Sequence, residues 1–189
     1  MTTTPTTVTF VGAKGGVGTS TVAAMHALQL AHSGQPVHLS ATSGAGVEDL
    51  AAILGMPDPA PGHIIDVAPG LTLGEELATG AANVVDGGTD RFSDHHGAVY
   101  VVLRNDYLSL RNVTSALPQS TFGLILVTEA GRALSRRDVE EVVRPVVAEI
   151  AVDPVIARAI DAGLLSAGRI PRTARCLGTA LASPTIATA

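Results

Sequence analysis

Residues 8 to 21, VTFVGAKGGVGTST, most constrain what this chain can fold into. The β-branched and apolar run Val8, Phe10 and Val11 reads as a strand, and Thr19, Ser20 and Thr21 open a helical stretch. Gly15, Gly16 and Gly18 lie between them. Glycines let backbone N–H groups turn inward, and the first turn of a helix adds unpaired donors and a partial positive charge. A strand, such a turn and a helix in that order form a cradle for an anion.

The rest of the chain extends this pattern. Strands are predicted over 6–12, 35–39 (QPVHL), 98–103 (AVYVVL), 122–127 (FGLILV) and 145–150 (PVVAEI). Helices are predicted over 19–33, with Gly34 as the terminating glycine, and over 47–54, 107–117 and 133–143. In the third, Tyr107, Leu108, Leu110, Val113 and Leu117 are expected to face inward; in the fourth, Ser135 and Asp138 fit a capping box. A proline-rich connector at 56–62 leads into HIIDVAPGLTLGEEL, a small strand or hairpin. The expected fold is α/β: a mostly parallel sheet with helices on both faces and ligand above the glycine loop. A flexible N-terminus (1–7), an α/β domain (8–168) and an arginine-containing tail (169–189) divide the chain.

Composition adds one pointed fact. Of 12 basic residues, 11 are arginine, and Lys14 in the glycine loop is the only lysine. An ammonium on a flexible stem swings onto a phosphate where a planar guanidinium does not fit as readily. Charge is also uneven: residues 1–129 carry −7 and residues 130–189 carry +2. Arg169, Arg172 and Arg175 recur every third residue, a candidate DNA-phosphate face or an ordinary solvated one. The lone Cys176 fits a reducing cytoplasm. The start of the chain lacks the pattern of a signal peptide, and no apolar run reaches membrane-spanning length. A cytoplasmic protein that does not bind membrane is expected. His95 and His96 beside Asp94 read as a metal pair or, more simply, a solvated loop.

The string AKGGVGTST resembles the deviant Walker A motif of the ParA/MinD family, a P-loop NTPase group, and PVVAEIAVDPVIARAIDAG resembles that family's ending. The resemblance implies ATP with magnesium held by residues 14 to 21, Lys14 through Thr21. Lys14 falls on the signature lysine, Gly15, Gly16 and Gly18 on the glycines, with Val17 among them, and Ser20 on the magnesium-binding hydroxyl. Thr19 stands where the P-loop lysine belongs. The second strand, where the family carries an aspartate, ends in Ser40, Ala41 and Thr42. Arg104 follows the strand expected to end in the metal-binding Walker B aspartate, leaving Asp66 and Asp106 as alternative carboxylates. The family also places a further strand, bearing an adenine-reading asparagine, before the last one, and only one helix fits between 128 and 144.

These departures imply a degenerate pseudo-ATPase that binds nucleotide weakly or not at all and has no catalytic residues of its own. Its expected role is partition or positioning through a homodimer or polymer, with DNA or a ParB-like adaptor as partner. Loops ending GTST also occur in the CpaE/TadZ branch, which implies the alternative of a localisation factor for a pilus or secretion machine. A working ATPase using Asp66 or Asp106 is the third reading.

Overall fold

The computed structural model describes residues 7–42, 46–90, 95–118 and 120–167, together with Leu177 and Leu181. The strands among them are β1 (Thr7–Gly12), β2 (Val37–Ala41), β3 (Ile65–Ala68), β4 (Leu71–Leu73), β5 (Ala82–Asp86), β6 (Ala98–Arg104), β7 (Thr121–Thr128) and β8 (Val146–Ala151). The helices are α1 (Thr19–His32), α2 (Val47–Leu54), α3 (Tyr107–Ser115), α4 (Arg136–Val142) and α5 (Pro154–Asp161). One sheet runs β3-β4-β2-β5-β1-β6-β7-β8, parallel throughout except for the β3–β4 hairpin at one edge.

The central strands are apolar on both faces because helices cover both. Phe10, Tyr100, Val102 and Ile125 point to the side of α1, α2 and α5, where most of the core lies. Val101, Leu103, Leu124 and Leu126 point to the other side, against Val113 of α3 and Val139 of α4. Leu177 and Leu181, from the stretch assigned to the tail, are buried in the first of these cores. The central helix α1 is buried on nearly every side, and its alanines let it lie close to the sheet. His26 is enclosed there, edge-on to Phe10 with ring centroids 5.5 Å apart. Burial lowers its pKa to about 4, so it is neutral in the fold.

The predicted strands and helices are present with small changes of boundary, and Ser135 and Asp138 form the expected capping box. Two expectations need correction. Residues 82–86 form β5, which the apolar pattern did not flag. Tyr107 and Leu108 are exposed, at 75% and 51%, because Asp106 caps α3 and turns its first residues outward. On the α1 side of the sheet, α2 stops at Gly55, whose φ of 71° only glycine adopts comfortably. Gly55 lies so close to Gly163, just past α5, that a Cβ there would overlap the Gly163 carbonyl.

Candidate functional site

The end of β1 is fixed before the loop begins. The Gly12 N–H donates to Gly88 O at 2.7 Å and the Ala13 N–H to Val102 O at 2.8 Å, tying the loop to both neighbouring strands. A side chain at Gly12 would press on Thr19 Oγ1. Thr19, in the place of the P-loop lysine, is thus packed inward and buried. Gly18 caps α1 in the left-handed conformation, φ 97°, with no side-chain acceptor for the first-turn N–H groups. Above them lies a cleft of about 520 Å³ lined by Lys14, Gly16, Ser20, Thr21, Asp49 and Gly88, among others. Helix N–H donors without a side-chain cap, an open glycine backbone and one lysine are features suited to an anion, with Asp49 and Asp161 also on the lining.

Behind Ser20 is a carboxylate that the sequence reading missed. Asp86 ends β5, pairs in register with Phe10 of β1 and Ala41 of β2, and is completely buried. Its Oδ1 accepts the Gly88 N–H at 2.9 Å. Its Oδ2 has no hydrogen-bond partner: the Ser20 hydroxyl is near enough to favour the ionised form without completing a bond. Burial raises the Asp86 pKa against that pull and the Gly88 N–H, and nearby Asp49 raises it further. The adjoining Thr42, whose N–H donates to Asp86 O at 2.9 Å, also has an unpartnered buried hydroxyl oxygen. Orphaned hard oxygens beside a P-loop serine fit a magnesium ion, which P-loop proteins hold with a loop Ser/Thr and a strand-end aspartate.

The other candidates fall elsewhere. Asp66 is exposed on the edge strand β3, with β4, β2 and β5 between it and β1, so it cannot serve the loop. Asp106 caps α3, accepting from the Ser109 N–H at 2.8 Å and Oγ at 3.1 Å, and its Oδ2 lies 3.5 Å from Lys14 Nζ. Burial acts to raise its pKa, but the two bonds from Ser109 and the Lys14 charge outweigh this and lower it. Its carboxylate is thus engaged by Ser109 and Lys14 in this structure. Arg104 lines a mostly apolar cavity beside the cleft and does not line the cleft itself. The ends of β2 and α2 bring Asp49, but no carboxylate from Ser40–Thr42, to the cleft. His95 Nε2 lies 2.6 Å from Asp90 O, and no metal-type cluster occurs among the described residues. Asp94, Arg169, Arg172, Arg175 and Cys176 lie outside the described residues.

No family model matches the chain, and no curated protein matches it in sequence. Solved structures do match in shape. A ParA family ATPase from Chlorobium tepidum aligns with a TM-score of 0.66 at 19% identity, over 94% of this chain and 98% of its own. MinD from Pyrococcus horikoshii, solved with Mg-ADP, gives 0.70 at 16% identity, over 93% and 94%. An ATP complex of a Cyanothece McdA variant gives 0.69 at 14%, over 96% and 98%.

This chain has the ParA/MinD fold.

In this fold Asp86 is a strand-end carboxylate beside the glycine loop that the sequence reading did not weigh. β6 ends in Arg104, as read from the sequence, and β5, on the other side of β1, ends in Asp86. Only the helix α4 connects β7 to β8, as the sequence implied, and among the described residues no further strand follows β7 before β8. The end of β7 carries Val127 and Thr128, with no asparagine. Thr19 and the carboxylate-free end of β2 also remain as departures. No helix among the described residues is long and apolar enough to cross a membrane.

Proposed function

We propose that this protein is a ParA/MinD-like positioning factor that holds a magnesium nucleotide but cleaves it slowly or not at all, and acts through self-association and partner binding. The observation that carries this reading is the buried Asp86 with its orphaned Oδ2 behind Ser20, beneath a loop that has Thr19 in place of lysine. Ser20 and Asp86 would hold the magnesium, which supplies charge neutralisation at the phosphates. The first-turn N–H groups of α1 orient the phosphate oxygens, and Lys14, released from Asp106, adds a positive charge. Phosphoryl transfer depends on positioning and electrostatics, and a missing donor of this kind costs about 3 kcal/mol of transition-state stabilisation. With neither the loop lysine nor a carboxylate at the end of β2 to orient water, the site suits binding better than turnover.

Relatives in shape support the positioning role: one is a MinC:MinD complex from Aquifex aeolicus, and others are ParA and McdA proteins. DNA contact would come from the arginines of the 169–175 stretch and give binding that weakens steeply with salt. Calorimetric titration of the full chain with ADP and ATP, with and without magnesium, tests the reading. Magnesium-dependent binding that disappears in Asp86→Asn, with phosphate release at background, is expected. Rapid turnover overturns the binding-only role, and absence of nucleotide binding overturns the site.

A further inference from the structure

Beside the phosphate cleft lies a second, mostly apolar cavity of about 160 Å³; Gly18, Thr21 and Ile160 line both. Its walls come from α1 (Val22, Met25), the ends of β7 and β8 (Val127, Ile150) and α5 (Ile156). A flat, weakly polar group attached to a phosphate in the cleft would enter it. One cation, Arg104, stands among its lining residues, and Arg104 does not line the phosphate cleft.

Arg104 is held on a rigid rim with its Nε unspent. The next residue, Asn105, donates to Glu129 O at 3.2 Å and accepts the Glu129 N–H at 3.0 Å, clamping the ends of β6 and β7 together. The Arg104 Nε is buried and has no hydrogen-bond partner. Glu129 is near enough to feel its charge, but the Glu129 carboxylate is engaged by Arg132 at 2.7 and 2.9 Å. A guanidinium carries only donors, and a buried donor without an acceptor is costly. A ligand that brings acceptors to this rim removes that cost.

We infer that Arg104 reads the base of the bound nucleotide and selects a 6-oxopurine, such as guanine, over adenine. This rests on the nucleotide-binding reading of the cleft. O6 and N7 of a 6-oxopurine both accept hydrogen bonds and match a guanidinium in bidentate geometry, whereas adenine sets a donor amine against it. Asp153 also lines the cavity; its Oδ1 caps α5 by accepting the Val155 N–H at 2.8 Å, which leaves Oδ2 for a donor group on the same base.

The test is calorimetric titration of the full chain, with magnesium, against GDP, ADP and inorganic pyrophosphate, using wild type, Arg104→Gln and Arg104→Met. Wild type is expected to bind GDP about tenfold more tightly than ADP. Arg104→Gln offers a donor and an acceptor, the pattern that pairs with adenine, and should erase or reverse the preference; Arg104→Met should erase it. Pyrophosphate affinity should stay unchanged in both. Equal affinity of wild type for GDP and ADP overturns the inference while leaving the nucleotide site standing. A uniform loss in the variants that includes pyrophosphate also overturns it, because Arg104 is then a phosphate contact. If none of the three ligands binds wild type, the nucleotide reading falls and takes the inference with it. Should either variant fail to melt cooperatively, the wild-type GDP-to-ADP ratio still decides.

Discussion

Asp86 combines two properties that seldom coincide: complete burial and an oxygen whose only near donor, the Ser20 hydroxyl, completes no bond. Its raised pKa means that the folded chain disfavours its ionised form. Asp86→Asn is therefore expected to leave the melting temperature equal or higher while abolishing magnesium-dependent nucleotide binding, which separates a ligand-holding role from a structural one. Asp106 works in the opposite way, since its carboxylate is spent on capping α3 and on Lys14. Asp106→Ala should cost about 1 kcal/mol in urea unfolding, whereas Asp106→Asn, itself a good cap, should cost little. Equal losses in both variants would locate the value of Asp106 in its charge rather than its cap. Lys14 was legible as a functional residue because no other lysine competes for notice. Its cis partner was not, since nothing in the spacing of residues 14 and 106 foretells their meeting.

Among the elements, those with long apolar or amphipathic patterns could be read directly: β1, α1, α2, β6 and β7. The strand that mattered most for the site could not. In β5 only Val84 and Val85 are strongly apolar, and Asn83 looks like a turn residue. Asn83 is nonetheless 3% exposed, because its side chain accepts the Ala78 N–H at 2.8 Å and donates to Ala78 O at 3.0 Å. A polar group satisfied by the preceding turn can enter a sheet, and a reading based on hydrophobic runs passes over it. The remaining signal was Asp86 followed by Gly87 and Gly88.

The helix α1 carries its own prediction. His26 is neutral in the fold with a pKa of about 4, and the unfolded chain protonates it near 6.5. As pH falls through that window, the unfolded state gains a proton that the folded state refuses, so stability declines by about 3 kcal/mol. His38, also lowered by burial, contributes in the same direction, while the raised Asp86 opposes them. His26→Leu should flatten the denaturant midpoint between pH 6.5 and 4; an unchanged slope would place the loss elsewhere.

At the scale of the whole molecule, the order of strands explains the site. With β1 in the middle, flanked by β5 and β6, one sheet edge gathers the glycine loop, Asp86 and Arg104. That convergence follows from the predicted parallel α/β fold, but which strand lies next to β1 depends on β5, and without β5 the placement of Asp86 is not legible in the sequence. A ligand that binds only the folded chain should stabilise it by about 2.7 kcal/mol at a hundred times its dissociation constant. Magnesium nucleotide is therefore expected to raise the melting temperature in wild type and not in Asp86→Asn.

The near-contact of Gly55 and Gly163 has a consequence for that cleft. Helix α2 supplies Asp49, Ala52 and Ile53 to one wall, and α5 supplies Ile160 and Asp161 to the other. The two jaws therefore meet through bare backbone, at a spacing that a Cβ on Gly55 would not allow. One alanine at position 55 would wedge the jaws apart from behind, altering ligand residence time without touching a single group that meets the ligand.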